Sequence, residues 1–199
     1  FFNRQNGIIF GSFAWIIAFC SFTIAIALFK KGDPSYSIFT HYLSDLGAGK
    51  NFSDVILFIG LALTSIFQIL FHFSIGSTLK QKKSNLRLIK IAMGTAIIAF
   101  ISLIMVIPST SNPENPKFNI MHGILGGMHF GFMTTAFLIY GIIELKNPSI
   151  SDKFSIISFS SAFLYGLNFI FPHIYIIYWL AIVGIFFWLF VHIGFLIKN

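Results

Sequence analysis

The chain has 199 residues, of which 56% are apolar, 18% aromatic and only 10% charged, against roughly a quarter charged in an ordinary soluble domain. That balance excludes a soluble globule, a disordered chain and a coiled coil, and the lone Cys20 excludes an intramolecular disulfide. The formal charge of +7 calls for no nucleic-acid partner, because Lys80, Lys82, Lys83, Arg87 and Lys90 cluster in one connection without an acid, as in a cytoplasmic loop.

Six apolar runs follow one another, at about 8–29, 54–78, 88–108, 120–144, 154–171 and 174–197. About 20 residues at 1.5 Å each cross a hydrocarbon core of about 30 Å, and the fifth run is the shortest. The runs are far longer than barrel strands and do not alternate apolar with polar. The expected fold is therefore all-α, a six-helix transmembrane bundle forming a single integral membrane domain over residues 1–199. Six spans put both termini on one side. Arg4, the five cations of residues 80 to 90, Lys146, Lys153 and Lys198 fall on that side, and Lys30, Lys31, Lys50 and Lys117 on the other. Both termini are accordingly read as cytoplasmic, in a cell membrane. Lys30 and Lys31 directly follow the first span, where long side chains reach the interface. That run is too long for a signal core and lacks a small-x-small exit, so it is read as a retained helix.

The first outer connection carries Thr40-His41-Tyr42-Leu43-Ser44-Asp45-Leu46-Gly47-Ala48-Gly49. His41 and Asp45 are spaced i, i+4, and a helical turn would bring them within about 6 Å. A carboxylate there orients an imidazole as a general base or metal ligand requires. Gly47 and Gly49 are expected to permit the reversal into the second helix, with Ser53 as N-cap, and Phe39, Leu43 and Leu46 to dip into the bundle mouth. The alternative is a structured turn, capped by Asp45 and anchored by Tyr42.

In the second run Thr64, Gln68 and His72 share a face, with His192 at comparable depth in the sixth. Such a histidine pair is a pattern for holding haem iron, against which the abundant Phe weighs. No charged residue is read at mid-depth, which counts against ion-coupled transport. The second outer connection, 109–119, leads to His122 at the start of the fourth helix. His122 and His129, seven apart, face nearly the same way with Gly126 on their side. Gly123, Gly127 and Gly131 form an adjoining stripe, read either as close helix packing or as a cavity lining. Ser158, Ser161, Tyr165 and Asn168 make an inward stripe on the fifth helix. Its serines can bond back to their own carbonyls, whereas Asn168 nearly demands a partner. The third outer connection is only Pro172-His173.

Three connections thus bring His41, Asp45, His122 and His173 toward one membrane face, where three helix N-termini favour anionic groups. His41, Asp45 and His122 are the candidate catalytic groups, and Ser44, His129, Asn168 and His173 the candidate ligand-binding groups. The function these imply is a polar His/Asp site at the extracytoplasmic mouth that binds or acts on a lipid head group. The alternative is a non-catalytic accessory subunit whose Phe- and Ile-rich surface packs against other membrane proteins. No spacing selects a metal, haem or other cofactor.

The element His41-Tyr42-Leu43-Ser44-Asp45-Leu46-Gly47 after a first span, Pro108 in an outer turn and His122 opening a Gly-rich helix resemble the membrane family termed domain of unknown function 998, over about residues 8–197. The resemblance implies a small bacterial or archaeal multi-pass protein and supplies no reaction. Where members often carry Pro after the glycine, this chain has Lys50-Asn51-Phe52. A looser similarity is to intramembrane zinc hydrolases of lipid amides, which gather Ser, Asp and His from several helices. Ser44, Asp45, His41, His122, His129 and His173 supply the residue types, but the close His-x-x-x-His pair of those enzymes is missing.

Overall fold

The computed structural model describes residues 2–49, 51–110 and 116–198. Every regular element among them is helical: α1 (Arg4–Gly32), a short 3-10 turn (Leu43–Ala48), α2 (Ser53–Gln81), α3 (Leu86–Thr110), α4 (Pro116–Leu145), α5 (Asp152–Ile170) and α6 (Tyr175–Lys198). All six α-helices contain a stretch long and apolar enough to cross a membrane. They coincide with the six apolar runs and overshoot most of them by a turn or less, because the interfacial residues remain helical. The α5 helix, with 19 residues, is the shortest. The helix α3 continues through Pro108, so that proline lies in the last helical turn and not in an outer loop.

Each helix packs against its neighbours in the chain, and α6 returns to α1, closing a ring of six. Only a slight α2–α6 contact crosses the ring. Its seam is the small-residue face of α1, where Gly7, Gly11, Ala14, Ala18, Ser21 and Ala25 are all buried. A Cβ on Gly11 would stand 2.8 Å from Phe71 and Ile193, and one on Gly60 would collide with Ser21. Close approach of this kind lets dispersion hold helices together in lipid, where hydrophobic burial contributes little. The glycine stripe of α4 has a different role. A Cβ on Gly123 or Gly126 would meet nothing within 4 Å, and one on Gly131 would meet the ring of Phe169 at ordinary contact distance.

Two ends of the ring differ in chemistry. Asn147 Nδ2 donates to the Lys82 carbonyl at 3.0 Å and to Ser84 Oγ at 2.6 Å, tying the α4–α5 connection to the basic α2–α3 connection. Gly7 abuts Ser74 and Leu196 there, so both termini lie at this basic end. At the opposite end Tyr42 Oη donates to the Pro172 carbonyl (3.1 Å), Trp179 Nε1 to the His41 carbonyl (2.9 Å) and Ser53 Oγ to the Leu46 carbonyl (3.0 Å). The 3-10 turn rests on α1, α2 and α3 and covers that mouth. The basic half of the ring is filled by Phe71, Phe100, Phe137, Tyr140, Trp188 and Phe195, all essentially inaccessible. The mouth half is open inside.

The seam and the open glycines make opposite predictions. Gly60→Val should cost about 1–3 kcal/mol through overpacking against Ser21, and Gly94→Ala, which meets no atom within 4 Å, should gain about 0.5–1 kcal/mol from helix propensity. Reversible unfolding in detergent reads both; equal effects of the two changes would contradict the packing described.

Candidate functional site

The mouth is built by residues 33–49 with Asn51 and Phe52. Asp33 Oδ1 accepts from the Ser35 amide and hydroxyl, which starts the turn out of α1. The amides of Thr40 and His41 then both bond to the Ser37 carbonyl. His41 therefore sits before the 3-10 turn and not on one helical face with Asp45. Its Nδ1 lies 2.8 Å from Thr40 Oγ1 and its ring packs on Tyr36 at 5.0 Å. Asp45 Oδ2 accepts from the Tyr42 amide at 2.7 Å, capping the turn. Leu43 and Leu46 are buried beneath it, whereas Phe39 is exposed and does not enter the mouth. The reversal into α2 uses Asn51 (φ 64°) and Phe52 (φ 65°) in the left-handed region, and no described glycine has positive φ. Gly49 serves close approach instead: a Cβ there would collide with Ser53 Oγ and Phe29. Phe52 precedes the helix as its cap, and Ser53 is its first residue.

Below the turn lies a cavity of about 540 Å³ lined by Tyr42, Ser44, Asp45, His122, Asn168 and His173, among others, and floored by Gly123, Gly126 and Gly127. It narrows into an apolar shaft of about 120 Å³ that runs down the ring axis between Leu57, Phe58, Leu103 and Ile185 to Thr64, Gln68 and His129. Ser44, His122, Gly126, Phe130 and Tyr178 line both chambers. Of the seven candidate residues, Ser44, Asp45, His122, Asn168 and His173 thus meet at the wide chamber, and His129 at the shaft. His41 lines neither chamber. Asn168 is 2% exposed, and its Oδ1 has no partner among the described residues; nor do Thr64 Oγ1 and Gln68 Oε1 in the shaft. His129 Nδ1 lies 3.0 Å from the Ala99 carbonyl; a carbonyl only accepts, so Nδ1 carries the proton and Nε2 is an acceptor.

Burial pushes the Asp45 carboxyl above the ordinary carboxylate range, outweighing the lowering effects of the Tyr42 amide, His41 and His122. Among the described residues no three His, Cys, Asp or Glu side chains gather closely enough to hold a metal ion. The donor set that a resemblance to zinc hydrolases implies is therefore not assembled by these residues.

A second polar cluster lies in the filled half of the ring, and sequence reasoning missed its central member. Glu144, 2% exposed, meets His192, fully buried, at 2.7 Å from Oε1 to Nε2. Ser158 Oγ donates to Glu144 Oε2 at 2.7 Å and accepts from Trp188 Nε1 at 2.9 Å. His72 Nδ1 lies 3.0 Å from Tyr140 Oη. Both histidine rings stack on Trp188, at 5.3 and 4.1 Å, so indole fills the space a haem between them would need. A signal for Glu144 was present: an acid in the last turn of a helix opposes the macrodipole and so asks for a partner. The inward stripe of α5 is as expected, with Ser158 and Ser161 bonding across to other helices rather than back to their own.

Comparison of the chain with protein-family models, with curated proteins and with solved structures gives no match. The ring of six apolar helices defines the class, a multi-pass integral membrane protein.

Because the folded Asp45 carboxyl lies above its unfolded value of about 3.9, the folded state holds that proton more tightly. Its contribution is fully present below the unfolded value and is lost as pH rises through the folded one. Wild type should therefore lose more thermal stability than Asp45→Asn between acid and neutral pH, since Asn keeps an acceptor for the Tyr42 amide. Parallel melting curves against pH would contradict this.

Proposed function

We propose that the protein binds a single amphipathic molecule of lipid type at its mouth, with the polar head in the wide chamber and an apolar tail in the shaft. The observation that carries this reading is the junction of the two chambers: a wide one with Ser44, Asp45, His122, Asn168 and His173 in its wall and a narrow, almost wholly apolar one, sharing five wall residues. Pockets for small molecules are mostly apolar with a few placed polar groups, and this combination matches a head and a chain. The unpartnered Asn168 Oδ1 supports it further, because a buried acceptor without a partner costs about 1–3 kcal/mol until something donates to it.

In this reading Ser44, Asp45, His122, Asn168 and His173 meet the head group, and His129 meets the tail. Asp45 and His122 are the pair with reach to move a proton on a bound head group; His41 acts at most on Asp45, electrostatically. The excess of cations at the end that holds the termini supports an orientation with that end cytoplasmic and the mouth extracytoplasmic. Membership of the domain of unknown function 998 family belongs to the same proposal and rests on the residues 41–47 element. The accessory-subunit alternative draws on outward Phe163, Phe187 and Phe190, which acyl chains cover as well as another protein does.

Gly126 lines both chambers and has no atom within 4 Å of a Cβ position, so Gly126→Leu fills the junction without straining the fold. Lipid extracted from the purified variant should fall about tenfold or more per mole of protein relative to wild type, a loss of at least about 1.4 kcal/mol in affinity. Equal retention of the same lipid by wild type and variant would overturn the proposal.

A further inference from the structure

The proton count at Glu144 and His192 follows from hydrogen-bond chemistry alone. His192 Nδ1 lies 2.8 Å from the Trp188 carbonyl, one turn back on α6. A carbonyl oxygen cannot donate, so Nδ1 carries a hydrogen. In a neutral imidazole Nε2 would then be a bare acceptor. It stands 2.7 Å from Glu144 Oε1, and the other oxygen of that carboxyl already accepts from Ser158. With neutral His192 and ionised Glu144, two lone pairs would face each other at that distance in a site shut off from water. The contact requires one proton between them, carried either by Nε2 as imidazolium beside carboxylate or by Oε1 as a neutral acid beside neutral imidazole. Both forms have zero net charge, the state that burial in a bilayer favours.

The groups around the pair are His72 and Phe71 from α2, Tyr140 from α4, Ser158 and Phe154 from α5, and Trp188 and Phe195 from α6. Of these only His72 and Tyr140 titrate, and among the described residues no Lys or Arg forms an ion pair with Glu144. His72 leads back toward the mouth. Its Nδ1 contacts Tyr140 Oη, one helical turn from Glu144, and its Nε2 is buried without a partner among the described residues. Thr64 Oγ1, Gln68 Oε1 and His72 Nε2 are three unpartnered buried atoms at i, i+4 and i+8 of α2. They span about 12 Å of helix axis, beginning in the shaft that Thr64 and Gln68 line. Buried polar atoms call for hydrogen-bond partners, and a row of them at one-turn spacing supplies successive sites between the shaft and His72.

We propose that Glu144 and His192 form a proton-binding site inside the membrane-embedded ring, holding one proton between them and exchanging it with the mouth cavity along Thr64, Gln68, His72 and Tyr140. The proton arrives from cavity water, passes the α2 row and the His72–Tyr140 contact, and settles in the Nε2–Oε1 contact. Its departure by the same route leaves the pair with one negative charge and removes the bond that joins α4 to α6 there.

The test uses the purified full chain at neutral pH, with His-selective 15N labelling for magnetic resonance and infrared difference spectra against Glu144→Gln. The Gln amide can donate to Nε2, so this variant keeps the contact without the extra proton. Wild type should display either doubly protonated His192 with ionised Glu144 or a protonated Glu144 carboxyl, and the variant neither. A neutral His192 beside an ionised Glu144 in wild type would overturn the site, whatever the variant does. On transfer to heavy water, the shared proton should exchange at least about tenfold more slowly in Thr64→Val/Gln68→Leu than in wild type, a barrier increase of about 1.4 kcal/mol. An unchanged exchange rate with a loaded pair would overturn the route.

Discussion

A bilayer offers a buried polar group no water, so each donor or acceptor inside a membrane bundle must find its partner within the protein. Glu144 is the residue on which that constraint falls hardest. It sits in the last turn of α4, where the helix dipole opposes a negative charge, and it is almost wholly enclosed. His192 and Ser158 answer it from α6 and α5, and Trp188 answers Ser158 in turn. Three helices are thereby fixed in rotation about one carboxyl group. The aromatic filling of the basic half, with Tyr140 and Trp188 at its centre, packs directly around this knot.

The same constraint explains the open half. There Asn168 Oδ1, Thr64 Oγ1 and Gln68 Oε1 lack partners among the described residues, and glycines on α4 leave space where side chains would otherwise pack. Unsatisfied atoms beside empty volume are the physical basis of the proposed ligand at the mouth and of the proposed proton route along α2. Asp45 belongs to both functions of the mouth turn: its carboxylate caps the turn through the Tyr42 amide, and its position on the cavity wall raises its proton affinity. The ring thus has one half filled by aromatic side chains and one half that holds the cavity.

Much of this was legible in the sequence because lipid makes hydropathy decisive. The six spans, the inward stripe of Ser158, Ser161, Tyr165 and Asn168, and the shared side of His122, Gly126 and His129 all follow from period and depth. The missing features depend on contacts that no period encodes. Asn51 and Phe52 carry the reversal because α2 must start under a turn already pinned by Ser53 and Leu46, and the nearby glycine is committed to Phe29. His41 turns toward Tyr36 because the chain there bonds to Ser37 and leaves the helical register. The glycines of α4 and the alanines of α1 share one small-residue pattern, and only the neighbouring helix decides which is seam and which is cavity.

The central claim is that the mouth half of the ring is a water-accessible chamber enclosed by a lipid-facing wall. It is tested most directly by reacting single cysteines, in a Cys20→Ser background, with a thiol reagent that cannot enter the bilayer. Gly123→Cys, on the chamber wall, should react in membranes, and Phe163→Cys, on the outer face of α5, should stay protected. Equal protection of both, or reaction at position 163 alone, would contradict the account.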